Sequence, residues 1–192
     1  MRAYVAAAEA EGVPVILQAG PSCREHTPLP VLGKMFTHLG DAASVPVVAH
    51  LDHGYEAEEC RIAIDSGFSS VMFDGSRKPL AENIAETAAI AEMAHAAGVS
   101  CEGEIGFVGY SGGEQSAGTN PDEAAQFAAQ TGVDAMAISV GNVHLQQDAG
   151  DGLDIDRIRA IEAVTDVHLE IHVGTDEPLA QRGAVERRLH RH

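Results

Sequence analysis

Basic side chains are scarce in this chain of 192 residues: 12 Lys plus Arg stand against 29 Asp plus Glu, for a formal charge of -17 at neutral pH. A surface this acidic repels phosphate backbones and anionic lipid headgroups, so nucleic acid and membranes are not expected as partners. Lysine is limited to Lys34 and Lys78. Neither falls in a predicted strand, which leaves no amine placed for covalent Schiff-base chemistry. Long apolar runs are missing as well: no segment reaches the ~18 residues of a membrane span. The opening Met1-Arg2-Ala3-Tyr4, with Glu9 close behind, builds no leader, and a soluble, unprocessed chain is expected. Cysteine is confined to Cys23, Cys60 and Cys101, widely spaced and without a Cys-x-x-Cys pair. That pattern suggests neither a disulfide framework nor a thiolate zinc site, and a reducing cytoplasm fits. The one basic stretch, 182–192, is expected to be an irregular, solvated tail.

What the chain does contain is a repeated pattern: a short β-branched apolar run, a polar cluster, then an alanine-rich amphipathic stretch that closes on glycine. The predicted strands are 13–18, 45–50, 70–74, 99–104, 135–140 and 167–172, spaced as strand-helix units are. Two helices carry clear signals. Pro79 opens one in which Leu80, Ile84, Ala88, Ala91 and Ala94 recur at helical spacing before Gly98. Asn120-Pro121-Asp122-Glu123 supplies a cap, a first-turn proline and early acids to another that stops at Gly132. Apolar strands alternating with helices predict one domain over 1–192 with a helix-covered parallel sheet.

An open doubly wound sheet and a strand-helix barrel both satisfy that pattern. The open sheet usually carries a glycine-rich phosphate loop after its first strand, whereas here polar residues follow many strands. That spread favours an α/β barrel of the TIM type, whose active site is assembled at the C-terminal strand ends. Read in order, those ends supply Gln18; His50, Asp52 and His53; Asp74; Glu102 and Glu104; Asn142 and His144; and His172. Singly, each has a plain explanation: a hydrogen-bonded histidine, a turn aspartate before Gly75, or a wet strand face for the two glutamates. Together, three histidines and several carboxylates on one rim make the donor set of a catalytic divalent cation.

The segment "VPVVAHLDHG" at 45–54, with "AIDSGFSSVMFDGSRKPLAENIAET" and "VSCEGEIG" after it, resembles the class II, metal-dependent fructose-bisphosphate aldolases, the group that includes tagatose-bisphosphate aldolase. The resemblance runs over residues 13–179. It implies an eight-stranded barrel with Zn2+ at its C-terminal rim, acting on phosphorylated ketose and triose substrates. It implies that Asp52 is the acid/base and that His53, His144 and His172 hold the zinc. Asp74 and Glu104 match carboxylates used at a second position, which could take a divalent or monovalent cation. The reaction is reversible cleavage of fructose 1,6-bisphosphate to dihydroxyacetone phosphate and glyceraldehyde 3-phosphate through an enediolate, whose charge a Lewis acid stabilises.

The stretch "GFVGYSGGEQSAGTNP", 106–121, is rich in glycine and small polar residues and suits a lid; Glu114 is its only carboxylate and matches the family's lid acid. Gly174 and Thr175 are the expected phosphate contacts. Departures accompany the matches. Leu145 follows His144 and Val173 follows His172, where the family usually has glycine. Six of eight strand-helix units are expected, the first and last strands being absent. A sheet that cannot close exposes its edges, so association with another copy is expected. Two other readings remain open: a metal-dependent sugar-phosphate isomerase or epimerase, and an impaired aldolase fragment that binds only a metal or a partner chain.

Overall fold

The computed structural model describes residues 1–109, 116–143 and 152–172. Strands and helices alternate along the chain: α1 (Arg2–Glu11), β1 (Val15–Ala19), α2 (Pro21–His26), α3 (Leu29–Ala42), β2 (Val47–Gly54), α4 (Ala57–Asp65), β3 (Ser70–Phe73), α5 (Leu80–Ala96), β4 (Ser100–Ile105), α6 (Pro121–Thr131), β5 (Ala135–Ile138), α7 (Ile155–Glu162) and β6 (His168–Glu170). Strand order in the sheet follows chain order, β1 to β6. All six strands anticipated from the sequence are present, with ends that differ by a few residues. The tail at 182–192 lies outside the described residues. No helix among those described is long and apolar enough to cross a membrane.

Two compact units divide the chain, Met1–Gly103 with Thr131–Asp134, and Glu104–Gln130 with Ala135–His192. In the first, β1 pairs in parallel with β2 from Val15↔Val47 to Ala19↔Leu51, and β3 with β4 from Ser70↔Ser100 to Phe73↔Gly103. Every residue of β3 is buried, as expected for a strand covered on both faces. β1 departs from that expectation: Leu17 and Ala19 are buried, while Ile16 is 55% exposed and Gln18 is exposed. α1 and α3 pack on β1, and the alternation of buried and exposed residues shows that one of its faces is covered.

The helices begin where local chemistry satisfies their first amides. Glu56 and Glu59 form a reciprocal capping box at α4. Asn120 Oδ1 accepts from the amides of Asp122 at 2.8 Å and Glu123 at 3.3 Å, and Pro121 opens α6 as the sequence indicates. Pro79 takes the cap position just ahead of α5, and Gly98, at φ 73°, makes the left-handed turn after it. Of the apolar face predicted for α5, Ile84, Ala91 and Ala94 are buried, joined by Ile90.

Packing in the first unit centres on the edge-to-face pair Phe36 and Phe68, with ring centroids 5.6 Å apart. Truncating either fully buried ring would cost about 3–5 kcal/mol. α3 reaches this core through Gly33, where an added Cβ would collide with the carbonyl of Ser66 at the end of α4. The three cysteines are free thiols, and burial pushes Cys60 up to about 12. In the second unit β5 pairs with β6 in parallel from Ala135↔His168 to Ala137↔Glu170, and Ile105, Phe127, Met136, Ile138, Val140 and Ile161 are buried.

Candidate functional site

The C-terminal end of β2 is irregular in a way its sequence did not announce. Leu51 pairs with Val71 and Gly54 with Phe73, so β2 advances one residue more than β3 across this interval. The extra residue makes a bulge, a device that re-aims side chains beside active sites. His53 sits in it at φ 52°, the one positive φ on a non-glycine side chain among the described residues. Such a conformation costs on the order of 1–3 kcal/mol and persists only where its surroundings impose it. The His53 amide donates to Met72 Sδ at 3.4 Å. At Gly54 a Cβ would stand 2.8 Å from the Met72 carbonyl, so β2 and β3 approach this closely only with glycine there.

The bulge brings the imidazole to Asp74, which follows the last residue of β3. His53 Nδ1 lies 2.9 Å from Asp74 Oδ2, both side chains being about nine-tenths buried. Asp74 also accepts from the Ser76 amide at 3.1 Å and hydroxyl at 2.6 Å. Burial pushes the Asp74 carboxyl up, but the hydrogen bonds from His53 and Ser76 outweigh it and hold the group below the usual carboxylate range. An ionised carboxylate can only accept. His53 therefore donates from Nδ1, and Nε2 is the nitrogen that offers a lone pair when the ring is neutral.

That tautomer is the one a metal-ligating histidine needs, with a carboxylate behind the imidazole to orient it and raise its basicity. Asp52 Oδ1 is 3.8 Å from the same Nε2, on a side chain 21% exposed, so a second carboxylate flanks the ring's donor atom. A neutral imidazole among carboxylates fits a divalent cation of the borderline-to-hard kind, Zn2+ included. Tyr55 stacks on His53 at 6.3 Å between centroids. A cavity of about 380 Å3 opens alongside, lined by Tyr55, Glu56, Asp74, Arg77 and Lys78.

His50, two residues before Asp52, is engaged elsewhere. Its Nδ1 is 2.8 Å from Ser70 Oγ and its Nε2 is 3.4 Å from Glu102 Oε2, all three residues being buried. Glu102 and Glu104, expected on one strand face, are both buried.

In the second unit Asn142 ties the local backbone together. Its Oδ1 accepts from the Val140 amide at 2.8 Å, its Nδ2 donates to the His172 carbonyl at 2.8 Å, and its own carbonyl accepts from Ser116 Oγ at 2.9 Å. His172 is half-buried just beyond β6, held through its carbonyl. Thr119 Oγ1 donates to the Ile105 carbonyl at 2.6 Å and accepts from the Ser139 amide at 2.8 Å. His144, Glu114, Gly174 and Thr175, also named from the sequence, lie outside the described residues.

Sequence reasoning missed Arg24, whose guanidinium bonds the backbone of the bulge. The sequence marks Asp74-Gly75-Ser76 as a turn, but not that Ser76 supplies Asp74 with two donors.

The motifs and this geometry define one class. The chain belongs to the class-II fructose-bisphosphate aldolase family, whose model matches residues 1–185. It is 38% identical over 187 residues to the 6-phospho-5-dehydro-2-deoxy-D-gluconate aldolase of Shouchella clausii, a match covering 92% of this chain and 62% of that protein. It is also 38% identical over 208 residues to the fructose-bisphosphate aldolase of Xanthobacter flavus, covering 93% and 59%. Among solved structures, the YdjI aldolase of Escherichia coli K12 superimposes with a TM-score of 0.82 at 29% identity, over 93% of this chain and 64% of that one. The fold is thus the α/β, TIM-barrel type of the class II aldolases, and the chain spans about three-fifths of the length of these relatives.

Proposed function

We propose that this chain carries the metal-dependent catalytic centre of a class II aldolase, which cleaves fructose 1,6-bisphosphate, or a related ketose bisphosphate, reversibly into dihydroxyacetone phosphate and glyceraldehyde 3-phosphate, or another phosphorylated sugar into dihydroxyacetone phosphate and a different aldehyde. The observation that carries the reading is the His53-Asp74 pair at the end of β2 and β3, with Asp52 beside the ring's donor nitrogen. Family membership supports His144 and His172 as the other two histidine ligands, and Asp74 and Glu104 as carboxylates for a second cation. When bound, Zn2+ supplies a Lewis acid for the negative charge that develops on the substrate oxygen.

The chain's own residues do the rest. Ionised Asp74 holds the His53 Nδ1 proton and fixes the ring's orientation, which leaves Nε2 as the nitrogen that would face a metal. Asp52, partly open to solvent, takes the proton from the hydroxyl next to the bond being broken and returns it in condensation. Gly174 and Thr175 are proposed to hold phosphate through backbone amides and a hydroxyl, and Glu114 to serve as the acid of a closing lid. The free thiols of Cys23, Cys60 and Cys101 suit a reducing, cytoplasmic setting, and association with a second copy belongs to the same proposal.

The relatives divide between two substrates, which sets the test. Purified chain is assayed with fructose 1,6-bisphosphate and with 6-phospho-5-dehydro-2-deoxy-D-gluconate, each with and without chelator. Cleavage of either that stops on chelation and returns with Zn2+ supports the proposal, and the preferred compound names the substrate. Cleavage indifferent to chelator refutes it, and firm metal binding without turnover of either sugar favours a binding role.

A further inference from the structure

We infer that Arg24, on α2, is a positioning residue: its guanidinium holds the Asp52-His53 bulge in the left-handed turn that aims His53 at Asp74. The inference rests on the reading above, in which His53 ligates a metal and Asp52 moves a proton. A bulge removes carbonyls from the strand ladder, and buried carbonyls must find donors elsewhere. Here Arg24 Nη1 donates to the Asp52 carbonyl at 2.6 Å and to the Ala19 carbonyl at 2.9 Å, and Nη2 donates to the His53 carbonyl at 2.9 Å. The side chain is only 10% exposed, and Glu59 Oε1 lies 3.3 Å from Nη2 as its counterion.

The same Glu59 completes the clamp. Its Oε2 accepts from the amides of Tyr55 at 2.8 Å and Glu56 at 3.3 Å. One ion pair therefore grips two carbonyls ahead of Gly54 and two amides after it, and fastens them to the end of β1 at Ala19. The planar fork of a guanidinium offers several donors in fixed directions, whereas an ammonium is a single compact centre. Lysine would satisfy one of the three carbonyls well and leave the others poorly bonded. Arg24 touches no reacting atom in this arrangement; it acts through the backbone of two residues that do.

The test uses the full chain with Arg24→Ala and Arg24→Lys. The first readout is the ring 15N spectrum of His53 in metal-free protein, identified by its loss in His53→Ala. The second is affinity for Co2+, followed by visible absorbance, with far-UV circular dichroism confirming that each variant is folded. Parent protein should show the Nδ1-protonated tautomer. In Arg24→Ala that signature should collapse toward exchange between tautomers, and Co2+ affinity should fall about 10- to 100-fold, the range for lost outer-shell partners. Added guanidinium ion, but not equal sodium, should restore both, and Arg24→Lys should fall between parent and Ala.

A folded Arg24→Ala that keeps the parental His53 spectrum and Co2+ affinity overturns the inference. If the parent binds no Co2+, the metal reading fails by itself, while the His53 spectrum still decides the role of Arg24. If Arg24→Ala does not fold, Arg24→Lys decides by the same readouts: parental values overturn the inference, and intermediate ones support it.

Discussion

Asp52 stands one residue before a backbone turn that strand residues do not make, with its carboxylate 3.8 Å from the His53 nitrogen that carries the lone pair. Asp52→Asn should leave the His53-Asp74 bond and metal affinity in place while lowering turnover by roughly 10²- to 10⁴-fold, as loss of a general acid or base does. Steady-state rates measured beside a metal titration check this; turnover within a few-fold of the parent would move the proton-transfer role to another group. Asp74 makes a second prediction through its depressed acidity. A carboxyl held below its unfolded value contributes stability that is present above the unfolded pKa of ~3.9 and is lost as pH falls through the folded value. Asp74→Asn should therefore be less stable near neutrality and show a shallower loss of stability below about pH 4. Parallel acid-unfolding curves for parent and variant would contradict the assignment of that titration to Asp74.

What could be read at this scale were the ionisable residues that close apolar runs. Asp52 and His53 come shortly after the apolar run 45–49, Asp74 directly follows Val71-Met72-Phe73, and burying charge without purpose is costly. The left-handed turn at His53 could not be read, because nothing in "HLDHG" distinguishes a bulge from a regular strand end. Its support comes from Arg24, some 28 residues away in the chain, through contacts that only folding creates.

At the scale of elements, periodicity and punctuation sufficed where they act locally. β3 was legible as a strand because Val71, Met72 and Phe73 form an apolar run and the whole strand is buried, and α6 because Asn120 and Pro121 satisfy its first turn by neighbouring residues alone. Exposure of β1 was not legible: Ile16 looks like a core residue in sequence and is largely exposed, since burial depends on which helices cover which face. Gly33 shows the same limit. By propensity a glycine is a weak point in a helix, yet this one is the place where α3 meets the backbone of Ser66. Gly33→Ala should destabilise the chain by about 1–3 kcal/mol, the usual cost of overpacking, despite the better helix propensity of alanine. Thermal denaturation decides this, and a variant more stable than the parent would show that the two helices can separate freely.

At the scale of the whole molecule, the sequence indicated one domain, and the chain's contacts gather into two compact units. The acidic balance of the chain, a formal -17, is compatible with a cation centre that needs ionised carboxylates and neutral imidazoles.

The central claim is that His53, fixed by Asp74, is a ligand of a resident divalent cation. Calorimetric titration of metal-free chain with Zn2+ at neutral pH, run side by side with His53→Ala, tests it most directly. The account predicts stoichiometric, tight uptake by the parent and loss of that uptake in the variant. Equal affinity in the two proteins would contradict it.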